Sequence, residues 1–262
     1  MSENRIAEKF RAVPRLGATL LGLAAIAAPA LAEVHQGEAV KLGNGTAQVL
    51  VDTDATGLPT SISISMTAEA LDGLPAELNK ASAEGSWDFP LPMPAGVETG
   101  YKEVVVDWNP HGHPPPDVYT VPHFDFHFYT LMPDDIAAIT FSGPDDPAAQ
   151  VFDKDLIPPD YQVIPDTAIN MMGVHAIDMT APELHGTPFT ATFIYGYDKG
   201  KLIFVEPMVT LAYLKTDPDA TLPVKTPARY SSPGYYPTNY SVQYDAGNKR
   251  YLIDLGGLKA WQ

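Results

Sequence analysis

The sequence predicts a mainly β protein: an antiparallel, barrel-like or sandwich domain with few short helices. Three observations predict it. Thr60–Thr67 (Thr-Ser-Ile-Ser-Ile-Ser-Met-Thr) alternates polar and apolar residues without a break, the period of a strand with one buried face. Asp198-Lys199-Gly200 separates two apolar runs, Pro188–Tyr197 and Lys201–Leu214, in the manner of a hairpin turn. Asp245-Ala246-Gly247-Asn248 does the same between Asn239–Tyr244 and Lys249–Leu255.

Taken in order, the chain opens on what reads as a secretory signal peptide, residues 1–32. Arg5, Lys9, Arg11 and Arg15 precede an uncharged apolar core, Leu16–Ala28, and Ala30-Leu31-Ala32 is a small-x-small cleavage site, so the mature chain is expected to begin near Glu33. A membrane-spanning helix needs about 20 apolar residues, which favours cleavage over a lasting anchor. The absence of an Arg-Arg pair favours the general export route, and the absence of cysteine excludes a lipid anchor there. The expected location is periplasmic or extracellular.

Residues 33–262 read as a single β-rich domain. Gly45–Asp52 and Tyr101–Trp108 are short β-rich runs, Val121–Leu131 is aromatic and continuous, and Met171–Ile177 is apolar. Ala68–Leu74 and Pro133–Ile139 are predicted as one or two helical turns each. The second has proline and two acids at its start, where a helix tolerates the first and favours the others. The 26 prolines lie between strands rather than in one linker. The proline- and tyrosine-rich segment of about residues 216–240 reads either as an arm over a neighbouring subunit or as a long surface loop on its own domain.

Composition narrows the function classes. The leader holds 4 of the chain's 16 basic and 2 of its 32 acidic residues, leaving 12 against 30, a balance of −18. Such a charge repels nucleic acid and anionic membrane surfaces. There are no cysteines, which excludes thiolate zinc sites, iron–sulfur clusters and thiol catalysis. No Gly-x-Ser-x-Gly elbow, phosphate loop, or dinucleotide or flavin fingerprint is present.

The chemistry is concentrated in one region. Four of the seven histidines, His111, His113, His123 and His127, fall within seventeen residues, with Asp125 among them. Read as a strand, Val121–Leu131 puts His123, Asp125, His127 and Tyr129 on one face and Phe124, Phe126 and Phe128 on the other. The phenylalanine face belongs in a core, so the polar face must meet water, a polar cavity or a metal. Neighbours on that face are roughly 7 Å apart, but His123 and His127 are roughly 13 Å apart. One of the two is therefore expected to be a ligand, and the other to support it or face a substrate. His111-Gly-His113 before three prolines reads as a loop capping the pocket. His175 and Glu206 each stand in an apolar run, where burial is costly unless something satisfies them. His185, in Leu-His-Gly-Thr-Pro, reads as a turn residue.

The candidate metal ligands are thus His111, His113, His123, His127, His175 and Glu206, converging on one pocket. The candidate catalytic residues are Asp125 and His127 for proton transfer and Tyr129 for hydrogen bonding to substrate. Imidazoles with carboxylates suit Zn²⁺, Fe²⁺, Mn²⁺ or Cu²⁺. Such spacing also occurs in cupins and α-carbonic anhydrases, but the glycine framing of the first and the surrounding sequence of the second are absent.

At these motifs the chain resembles an uncharacterised family of exported bacterial proteins, a domain of unknown function. The likeness rests on Asp107-Trp-Asn-Pro-His-Gly-His-Pro-Pro-Pro116, Pro122-His-Phe-Asp-Phe-His-Phe-Tyr129, Gly173-Val-His175, Thr192-Phe-Ile-Tyr-Gly196 and Phe204-Val-Glu-Pro-Met208. It covers about Glu38 to Leu214 and implies no particular activity. Three functions are therefore expected to compete. The first is a metal-dependent hydrolase or lyase acting on a small molecule. The second is a module that binds a metal or small ligand without turnover. The third is a structural homo-oligomer without metal.

Overall fold

A computed structural model describes residues 32–82 and 84–261 of the chain. The expected signal peptide falls on residues 1–31, outside the described residues, apart from Ala32. In chain order the strands are β1 (Glu33–Gln36), β2 (Val40–Leu42), β3 (Gly45–Thr53), β4 (Pro59–Thr67), β5 (Trp87–Leu91), β6 (Glu103–Asn109), β7 (His123–Tyr129) and β8 (Tyr161–Val163). They continue as β9 (Val174–Asp178), β10 (Ala191–Asp198), β11 (Lys201–Thr210), β12 (Asp219–Pro223), β13 (Gly234–Tyr236), β14 (Asn239–Asp245), β15 (Arg250–Gly256) and β16 (Lys259–Trp261).

Two antiparallel sheets stack as a sandwich. One runs β1-β3-β4-β15-β14-β12, with β2 also paired to β3; the other runs β5-β6-β7-β11-β10-β9-β8. Neither closes on itself, so of the two expected architectures the barrel is set aside. Closure would need an edge strand to pair back across its own sheet, and the edges here are short strands instead. The main core lies between the sheets. Val49, Val51, Ile62, Ile64 and Ile253 face inward from the first, and Val106, Phe124, Phe126, Phe128, Tyr195 and Val205 from the second.

Both expected hairpins are present. Asp198 pairs with Lys201 across a two-residue turn in which Lys199 (φ 48°) and Gly200 (φ 73°) are both left-handed, the conformation that matches strand twist. The second hairpin is closed by the Asp245 carboxylate, which accepts from the Gly247 and Asn248 backbone N–H groups. Among the described residues, helix is confined to short turns, including Pro133–Ala137 and the 3₁₀ turn Ala68–Leu71. The run Lys201–Leu214 is a strand only to Thr210. There the threonine side chain caps a helical turn, Leu211–Leu214, by accepting from the Tyr213 N–H.

The segment around 216–240 packs on its own domain. β12 forms an edge of the first sheet, and Tyr230 stacks on Tyr236 at 3.6 Å between ring centroids. Tyr195 Oη and the Leu202 N–H donate to Lys225 O and Ser231 Oγ, tying the segment to the second sheet. Within the single chain the segment thus lies along its own domain.

Candidate metal centre

The second sheet has an unusual outer face. On β7 the phenylalanines point into the sandwich, so alternation turns His123, Asp125, His127 and Tyr129 outward. Yet every residue of β7 is buried. The neighbouring strands bring matching polar groups to that face. Asp107 and Asn109 on β6 pair with Asp125 and His123, and on β11 the register that pairs Val205 with Phe128 and Met208 with Asp125 sets Glu206 beside His127. His175 arrives on β9 opposite Gly196. Loops cover the face and leave a cavity of about 480 Å³, whose wall includes His113, Asp125, His127, His175 and Glu206.

Gly196 has a specific task here. A Cβ at this position would lie 2.0 Å from the Phe204 ring. Its absence lets the Phe204 ring close on the strand at Gly196, with its centroid 4.8 Å from His127 and 5.4 Å from His175. The phenylalanine thus fixes both imidazoles from the side.

The polar atoms fall into two groups. In one, His127 Nε2 and His175 Nε2 stand 3.6 Å and 3.8 Å from Glu206 Oε2. In the other, His123 Nε2 lies 3.1 Å from Asp125 Oδ1, and His113 Nε2 lies 3.4 Å from Asp125 Oδ2. Within each group the three donor atoms lie within 4.8 Å of one another, so each group could hold a metal ion.

The far side of each ring decides which nitrogen is available. His175 Nδ1 donates to Thr167 O at 2.9 Å, while the Thr167 hydroxyl accepts from the His175 backbone N–H. His123 Nδ1 donates to Val121 O at 2.7 Å and His113 Nδ1 to Pro114 O at 2.8 Å. A carbonyl only accepts, so each Nδ1 carries a hydrogen, and each ring turns its Nε2 toward a carboxylate. His127 Nδ1 sits 2.7 Å from Asp107 Oδ2, close enough for the carboxylate to hold the ring, although its N–H is poorly aligned with that oxygen. This is the arrangement in which ligating histidines are held by carbonyls and carboxylates behind them.

Eight buried side-chain polar atoms lack a hydrogen-bond partner among the described residues, and five belong to these groups: His123 Nε2, Asp125 Oδ1, both His127 nitrogens and Glu206 Oε2. Each unsatisfied buried group is costly, so their concentration at one face calls for a bound species. Without one, protons carry the balance. Burial opposes a charge on His127, but Glu206 and Asp107 outweigh it and push its pKa up to about 10. Burial pushes Glu206 up to about 8 and Asp107 up to about 7. Burial, with His127 nearby, lowers His175 to about 4. Burial also opposes the charge of His113, but Asp125 prevails and raises it to about 9.

Of the residues predicted from sequence, His113, His123, Asp125, His127, His175 and Glu206 are brought to this face. His111 is not: its ring is exposed and its Nε2 lies 3.0 Å from Ala76 O. Gly112 (φ 68°) reverses the chain between the two loop histidines, so they diverge. Tyr129 is buried behind the site, stacked on His127 at 5.4 Å and against Phe204, rather than on the cavity wall. His185 is the turn residue expected, ahead of the left-handed Gly186.

Sequence reasoning missed four contributors. Asp107 and Asn109 carried a signal, since β6 has the same inverted alternation as β7, with Val104, Val106 and Trp108 inward. Asn109 Nδ2 donates to Asp125 Oδ2 at 2.7 Å and fixes that carboxylate. Thr167 and Glu84 sit in loops and carried none. Glu84 lines the cavity, and burial raises its pKa.

Fold and site together define an antiparallel β-sandwich bearing two His/carboxylate groups under the loops of one sheet. No protein-family model, curated protein or solved structure matches the chain.

Proposed function

We propose that this protein is an exported enzyme that uses a divalent metal, held by His127, His175 and Glu206, to hydrolyse or eliminate a small molecule. The observation that carries the reading is the convergence of two imidazole Nε2 atoms and a carboxylate oxygen without a hydrogen-bond partner on one cavity wall. Two imidazoles and one carboxylate suit Zn²⁺, Fe²⁺, Mn²⁺ or Cu²⁺. When bound there, such an ion supplies Lewis acidity and lowers the pKa of water.

The chain's own residues do the rest. Asp107 orients His127, and Thr167 orients His175. Glu84, on the cavity wall and outside both ligand groups, is the carboxyl assigned to give or take a proton. The wall describes the substrate. Ile164, Ile169, Met172, Ile177, Ile194 and Met208 accept an apolar body, and among the described residues no lysine or arginine lines the cavity. A neutral ester, lactone or amide with an apolar arm fits better than a phosphate or polycarboxylate, which would meet Glu84, Asp166 and Glu206 without a compensating cation from the chain.

The test is elemental analysis of untagged protein, followed by hydrolysis assays with p-nitrophenyl butyrate and p-nitrophenyl phosphate before and after chelation. Stoichiometric metal and chelator-sensitive turnover of the neutral ester are expected. Metal without turnover of any neutral ester, lactone or amide would make the protein a binding module, and absence of metal under loading conditions would overturn the reading.

A further inference from the structure

We propose that the chain holds two ions at once, with a second cation site at His113, His123 and Asp125. This rests on, and extends, the metal reading of the His127 group.

The argument begins with reach. His123 and His127 stand four residues apart on one face of β7, which separates their side-chain origins by roughly 13 Å. A ligand bond to such an ion is about 2.0–2.3 Å. An ion at His127, His175 and Glu206 therefore cannot also satisfy His123. Left alone, His123 Nε2 and Asp125 Oδ1 face each other at 3.1 Å, both buried and neither with a hydrogen-bond partner. His123 is fully buried and its Nδ1 hydrogen is already given to Val121 O, so a neutral ring cannot turn a donor to the carboxylate without breaking that bond. A second cation resolves the conflict.

The site is built for it independently of the first. The two donor sets share no residue. Each imidazole of the second set has its own backbone carbonyl behind it, Val121 O for His123 and Pro114 O for His113. Asn109 leaves Asp125 Oδ1 free by donating only to Oδ2. The two sites also differ in mounting. His127, His175 and Glu206 sit on three strands, β7, β9 and β11, whereas His113 comes from the proline loop, and its side chain retains 18% exposure. The strand-held ion is the retained one, and the loop-held ion is the exchangeable one. His113 and Asp125 line the same cavity as the first ligand set, so a bound molecule meets both sites.

The experiment uses the full exported chain without a tag, stripped with chelator, reloaded separately with Zn²⁺ and Mn²⁺, desalted and measured for metal per chain. Two ions per wild-type chain are expected, with one lost first under limiting chelator. Asp125→Asn and His113→Gln should each bind one ion, the retained one, and Glu206→Gln should also bind one. Circular dichroism and the melting transition confirm that each variant is folded. His113→Gln, on an exposed loop, keeps the test open if Asp125→Asn misfolds. A wild-type stoichiometry that saturates at one, with His113→Gln unchanged, overturns the second site and leaves the first. A folded His113→Gln or Asp125→Asn chain that loses both ions also overturns it, because the sites would then be one. No metal in any form overturns both readings.

Discussion

At the scale of single residues, the carboxylates behind the imidazoles matter as much as the ligands. Asp107 touches no cavity, yet its oxygen holds His127 in the orientation that aims Nε2 at Glu206. Asp107→Asn keeps the shape but removes the charge that raises ring basicity. Metal affinity is expected to fall about 10- to 100-fold, the usual cost of losing such a partner, with the fold retained; a competition titration against a chromophoric chelator measures it. Protons supply a second check. His127 is raised to about 10 and Glu206 to about 8, so the metal-free pair holds at least one proton at neutral pH. An ion must displace it. Uptake should therefore release acid, and affinity should climb about tenfold per pH unit for each proton displaced, up to the pKa of the group concerned. Calorimetry in buffers of different ionisation enthalpy reads the proton count, and uptake without proton release would contradict the assignment.

At the scale of elements, β7 and its neighbours carry the design. Phe126 is fully buried between the sheets, so Phe126→Ala is expected to cost about 3–5 kcal/mol in a denaturant titration. Gly196→Ala acts differently. The new methyl would occupy the place of the Phe204 ring, push it from its seat between His127 and His175, and weaken metal binding more than it weakens the fold. Measuring both quantities in the same variant separates the two effects. Much of this was legible in the sequence. The alternation of Thr60–Thr67, the two hairpin turns and the inverted polarity of β7 follow from period-two patterning, which local sequence records directly. The short edge strands β1, β2, β5, β8, β12, β13 and β16 were not, because three to five residues, with Pro90 in one and Pro223 in another, show no period. At the site, His175 and Glu206 were visible as polar residues in apolar runs. The division into two ligand groups was not, since it depends on which strands lie beside β7. The divergence of His111 from His113 depends on the left-handed Gly112, and the sequence marked only a loop there.

At the scale of the whole molecule, the two candidate ligand groups lie outside the main core. The sandwich packs between its sheets through Val, Ile, Phe and Tyr, while the metal groups lie on the opposite face of one sheet. The chain is therefore expected to fold without metal and to gain stability on loading by mass action, about 2.7 kcal/mol at a hundredfold excess over Kd. Thermal melts with and without added Zn²⁺ check this; a chain that is unstructured until loaded would refute it. Export is proposed from the leader, and mass spectrometry of secreted material should find a chain beginning near Glu33. Assembly into a homo-oligomer is likewise a proposal. The 216–240 segment is used on its own domain, but Phe152, Met132 and Met171 leave apolar side chains exposed. Sedimentation across a wide concentration range should reveal self-association, and a constant monomer mass would end that proposal.

Strand β7 is buried on both faces, with aromatic rings on one and charge-bearing groups on the other. Most strands in a sandwich have their phase fixed by water on one side. Here the phase is fixed by chemistry alone, and it has only two settings. Inserting one residue between Val121 and His123 would send His123, Asp125 and His127 into the sandwich and turn three phenylalanines onto the metal face. Neither side could absorb the exchange by moving a group into solvent. The reading frame of this strand is thus a point at which a chain otherwise tolerant of loop changes has no graded response. Single-residue insertions across 121–131 should abolish soluble expression, while insertions in the exposed 144–147 loop should leave both fold and metal content intact.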